Sequence, residues 1–141
     1  FPAMLASSFA KAGGGSFTQP DVSDNNGGLL LAGNQIAETR LVLGLVDGQK
    51  APKRLAATPT TDIASPVDPM PNNMGVPGAK SFHLVASGYG DISGVGSTAN
   101  PYYVRFASSA TASVISDAAA QQPSFFTLWI GNNDVLFYAL E

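Results

Sequence analysis

Two short polar clusters in this chain have residue types and spacing suited to chemistry: Asn73-Met74-Gly75-Val76-Pro77-Gly78 and Gly131-Asn132-Asn133-Asp134. An asparagine amide offers two N–H donors and carries no charge, so it can stabilise an oxyanion that forms only in a transition state. Gly131 lets the backbone turn sharply after the apolar run Phe125–Ile130. Asp134 is placed to cap the helix that follows by accepting its first N–H groups. Gly78 stands where a helix is predicted to begin, and unsatisfied N–H groups at such a start bind oxyanions or carboxylates. Each cluster also has a plain structural reading. The first can be a loop that needs positive φ angles, and the second a strand-to-helix turn with an Asx cap.

His83 is the single histidine. It falls in the predicted helix 79–87 with Ser81 and Ser87, and it reads as a structural side chain. A general base needs a nucleophile within reach, and no Gly-x-Ser-x-Gly elbow occurs. The residues therefore predict no self-contained Ser-His-Asp triad.

The elements that must position these groups follow from periodicity and turn signals. A helix is predicted over 1–12, with Pro2 in its first turn, Met4, Leu5 and Phe9 on one face, and Gly13-Gly14-Gly15 at its end. Residues 16–28 are turn-rich. Residues 38–46 predict a strand, and Asp47-Gly48 a turn. The segment 50–72 holds five prolines and shows no period, so it is expected as a long loop or an insertion. A helix over 111–122 should bury Val114, Ile115 and Ala118. The segment 124–130 reads as a strand buried on both faces, followed by a helix from Asn132. The closing helix–strand–helix order predicts an α/β domain with a parallel sheet.

Composition narrows the function classes. The 141 residues suit one domain, and 45% are hydrophobic, enough for a core. Only 12% are charged, with a net charge of −3. Lys50, Lys53 and Arg54 make the one basic cluster and are expected on a solvated loop, so nucleic acid is not an expected partner. Without cysteine there can be no disulfide, thiolate nucleophile or cysteine-ligated zinc. No apolar run approaches the ~20 residues of a membrane span. Phe1 is not an initiator methionine, and the chain reads as an internal piece of a longer protein.

Together the two clusters resemble known sequence blocks. Gly131-Asn132-Asn133-Asp134 is similar to the Gly-x-Asn-Asp block of the SGNH hydrolases, the GDSL lipases and esterases. Asn73–Gly78 is similar to that family's Asn-x-Gly-x-x-Gly loop, and the two stand here in the family's order. FFTLWIGNNDVL and FPAMLASSFAKAGGG also resemble bacterial lipase-like members. The resemblance implies a flavodoxin-like three-layer α/β/α fold with a parallel sheet, incomplete in this chain as a single partial domain over 1–141. It implies Asn133 and the Gly78 N–H as oxyanion-hole donors, with Asn73 and Asp134 as supports. Substrates would be small-molecule esters or lipids, with no metal or organic cofactor. The family's nucleophilic serine block and its Asp-x-x-His block have no counterpart in these residues; Lys80 stands three before His83. This chain alone is therefore expected to be inactive, with the missing groups outside it. Exposed sheet edges would favour self-association. The compartment stays open, and a secreted or envelope-associated parent is compatible.

A rival reading is a non-catalytic extracellular module that binds glycans or surfaces. Low charge, many small polar residues and the aromatics Tyr89, Tyr102 and Tyr103 would suit it.

Overall fold

A computed structural model describes residues 1–140. It contains helices and two small antiparallel sheets, and the chain divides into two compact units. One comprises Phe1–Pro20 with Pro66–Glu141, the other Asp21–Ser65.

The Asp21–Ser65 unit is built from two hairpins. Strands β1 (Gly27–Leu31) and β2 (Asn34–Thr39) pair antiparallel, as do β3 (Leu41–Val46) and β4 (Gln49–Arg54). Both turns have two residues. Ala32 and Gly33 have φ of 49° and 80°, and Asp47 and Gly48 have 51° and 80°. Positive φ at both central residues matches the right-handed twist of the flanking strands. The carboxylate of Asp62 accepts from the Ala32 and Gly33 amides at 3.1 and 2.8 Å and so braces the first turn. Residues 61–63 run beside β1, with Leu30 N–H donating to Thr61 O and Ile63 N–H to Leu30 O, both at 2.8 Å. Leu29, Pro59, Thr61 and Ile63 are buried in this unit.

The second hairpin corrects the expectation of a loop from residue 50. Lys50, Pro52 and Arg54 lie in β4, opposite Leu45, Leu43 and Leu41. Both strands of a two-stranded sheet are edges, so Pro52 is tolerated although it has no N–H to donate.

The other unit is helical. Helix α1 (Pro2–Lys11) begins at proline, and Gly13 follows at φ 89°. None of its residues is buried. The core consists of Ala79, Tyr89, Tyr103, Phe106 and Val114. Helix α2 (Pro101–Val104) is capped by Asn100, and α3 (Val114–Ala120) by Ser113, whose side chain accepts from Ser116 N–H. On α3, Val114 and Asp117 face inward while Ile115 is exposed, a correction to the expected face. The Asp117 carboxylate accepts from Tyr103 Oη at 2.7 Å, from Ser108 N–H at 3.0 Å and from Ser108 Oγ at 2.5 Å. Burial and this carboxylate both push the Tyr103 phenol well above its ordinary pKa. The expected helix 79–87 shortens to a 3₁₀ turn, Ser81–Leu84.

Residues 124–130 correct the sequence reading most. They belong to no strand, and Phe125, Phe126, Leu128 and Trp129 are exposed, Trp129 at 82%. The sheets present are antiparallel hairpins, and the described residues contain no parallel sheet. A strand needs a neighbour for its backbone N–H and C=O groups, and no described segment supplies one here. Phe125 instead meets Phe9 at a ring distance of 4.8 Å, and Trp129 meets Phe1 edge-on at 6.4 Å. Helix α4 (Asn132–Leu140) follows.

Candidate functional site

The second polar cluster is bonded to the segment that directly follows the first. Asn133 and Asp134 sit in the first turn of α4, entered through Gly131 at φ 102°. That angle is open to glycine and strained for other residues. The Asn133 side-chain N–H donates to Ala79 O at 2.8 Å, across 54 positions of sequence. Ala79 is the residue after Gly78, so the two predicted oxyanion donors belong to segments joined by a direct bond. An amide NH₂ carries two donors, and this bond uses one.

Asp134 makes a second tie. Its carboxylate accepts from Ser81 N–H at 2.9 Å and from Ser81 Oγ at 2.6 Å. It was expected to cap its own helix; instead it caps the 3₁₀ turn that follows the Gly78 loop. Its position in the first turn of α4 also sets its negative charge against the positive end of that helix. The Ser81 hydroxyl and then the Ser81 amide hold the carboxyl below its ordinary range.

The loop before Gly78 is held from three sides. Asn73 Oδ1 accepts from Gly75 N–H at 3.0 Å, a local Asx turn, while its amide nitrogen reaches Gln19 Oε1 at 3.4 Å. Asn72 receives both the amide and the hydroxyl of Thr18, at 2.9 and 3.1 Å. Asn100 donates to Pro77 O at 2.9 Å and to Tyr89 Oη at 3.0 Å. Gly78 itself has φ 76°, and a Cβ there would meet nothing within 4 Å. Glycine is required at that position by backbone conformation rather than by crowding.

Asn73 and Asp134 each hold backbone of the Gly78 segment by hydrogen bonds, and Ser81, Asn72 and Asn100, which sequence reasoning did not single out, take part in the same set of contacts. Asn100 had a readable signal, since asparagine before proline marks a helix start. Ser81 had none, because its partner lies 53 positions away.

His83 is structural in its surroundings. Its Nδ1 accepts from Lys80 N–H at 2.9 Å, and its ring stacks on Tyr89 at 4.4 Å with a 9° interplanar angle. Burial, then the charge of Lys80, lowers its pKa and so favours the neutral ring. Ser81 Oγ bonds to Asp134 directly, with no imidazole between them, so these three residues do not form a catalytic relay.

Tyr89 and Tyr103 are buried, which corrects their proposed use as exposed glycan contacts. Among the described residues no cluster of three or more His, Cys, Asp or Glu could hold a metal ion, and no helix is long and apolar enough to cross a membrane. No protein-family model, curated protein or solved structure matches the chain.

Proposed function

We propose that this chain supplies the oxyanion-hole half of a serine ester hydrolase of the SGNH type, with Asn133 and the Gly78 N–H as the two donors. The observation that carries the proposal is the paired tie of Asn133 to Ala79 and Asp134 to Ser81. It draws the Gly78 loop and the Gly-Asn-Asn-Asp turn to one place, as a two-donor hole requires. Asp134, Asn73 and Asn100 hold the segments in position. The attacking serine and its histidine base come from residues outside this chain, and no metal or cofactor takes part.

The same reading would make segment 124–130 a strand of a parallel three-layer fold. Phe125, Thr127 and Trp129 alternate with Phe126, Leu128 and Ile130, so pairing with neighbouring strands would bury apolar groups on both faces. Without such neighbours the segment favours self-association.

The test is hydrolysis of a chromogenic short-chain ester by the parent protein and its Asn133→Ala variant, alongside this chain alone. The proposal expects turnover by the parent, a collapse of kcat in the variant and none by the chain. An unchanged kcat in the variant removes Asn133 from the site.

A further inference from the structure

The β3–β4 hairpin carries a surface that the hydrolase reading does not use. Strand alternation puts Leu41, Leu43 and Leu45 on one face, and they are 56%, 72% and 64% exposed. Directly opposite them in register stand Arg54, Pro52 and Lys50. Cross-strand partners share a face, so this face holds three leucines, a proline and two cations, and no acid. Lys53 lies on the reverse face, where its aliphatic stem covers Gly44. Four of the chain's seven Lys and Arg fall within 40–54 (Arg40, Lys50, Lys53 and Arg54) against Asp47 alone, on a chain of net charge −3. Neither Lys50 nor Lys53 is engaged by a carboxylate among the described residues.

We infer that this hairpin face docks on an anionic lipid surface. Three exposed leucines beside lysine and arginine match a boundary where acyl chains meet negative headgroups. The leucines enter the apolar layer and Lys50 extends to the phosphates, while Arg54, whose Nη1 donates to Thr39 O at 2.7 Å, adds positive charge beside them. A second copy of the chain is the competing occupant. Pairing two such faces about a two-fold axis would set Lys50 and Arg54 among the same cations of the other copy, with no acid on either face to offset them. A bilayer accepts both kinds of group without any register between them.

The inference stands independently of the hydrolase reading, because its test measures binding and not turnover. The purified chain is floated with phosphatidylcholine vesicles, with and without phosphatidylglycerol. Co-flotation is expected with the anionic vesicles, and added salt should weaken it. Leu43→Ser should weaken it at least about tenfold. Lys50→Gln should weaken it about fivefold, as for one cation near an anionic surface. Both side chains are exposed, and far-UV circular dichroism checks that each variant keeps its fold; Leu45→Ser is the second apolar variant. No flotation, equal flotation with neutral vesicles, or indifference to the leucine variants would overturn the inference. So would a dimer in light scattering that Leu43→Ser converts to monomer, which would assign the face to a second copy.

Discussion

The Asn133 side chain donates to the carbonyl of Ala79 at 2.8 Å, and the next residue, Asp134, grips Ser81. One helical turn thus fastens the segment that starts at Gly78. If these contacts build an oxyanion hole, Asn133→Ala in the parent should lower kcat by about 10²–10³ with KM nearly unchanged, as for loss of one such donor. Steady-state kinetics on a soluble ester decide it.

Asp134→Ala should loosen the same junction from the other side. Ser81 loses the acceptor for both its amide and its hydroxyl. Amide hydrogen exchange at Ser81 should accelerate in this chain, while exchange at Tyr103 in the core stays slow. Equal exchange at Ser81 in both proteins would show that Asp134 does not hold the turn.

The carboxyls predict an acid-sensitive fold. Asp134 is lowered chiefly by Ser81, Asp24 by Thr60, and Asp62 by the Ala64 amide. A carboxyl depressed in the folded state binds its proton more readily when unfolded. Its stabilisation is therefore complete above the unfolded value, about 4, and is lost as pH falls through the lower folded value. Urea midpoints should fall as pH drops below about 4. Asp134→Asn should reduce that dependence.

Asp117→Ala should be the most damaging core change. It strands Tyr103 Oη and both donors of Ser108 without their acceptor. Leaving the buried Tyr103 donor unsatisfied costs about 1–3 kcal/mol, while Ser108 is exposed and its donors can bond water, so a loss of about 1–3 kcal/mol is expected from urea denaturation. Ile115→Ala, one turn-face away and exposed, should cost far less.

Gly78→Ala tests backbone conformation alone. The added methyl meets open space, yet φ is 76°. The substitution should cost about 1 kcal/mol through the left-handed conformation, measured by thermal melting, while the N–H donor is kept.

Local signals were legible wherever a few neighbouring residues decide the conformation. Asp47-Gly48 announced its turn, Pro2 and the glycines after residue 12 bounded α1, and Gly131-Asn132 marked the entry to α4. The mixed α/β character and the two polar clusters were also readable. Segment 50–54 was not, because its prolines suggested a loop and only pairing with Leu41–Val46 makes it a strand. Segment 124–130 shows the converse: its apolar residues describe a buried strand, but burial is conferred by neighbours that the described residues do not provide.

Residue types and short-range spacing thus determined which groups are available: an amide at Asn133, a permissive glycine at Gly78, a carboxylate at Asp134. Only the tertiary structure decided that Asn133 bonds to the Ala79 carbonyl beside Gly78, that Asp134 caps a turn 53 positions away, and that Tyr89 and Tyr103 are buried. Propensities act over a turn or two of chain. Burial, strand pairing and long-range hydrogen bonds depend on which distant segments fold against each other.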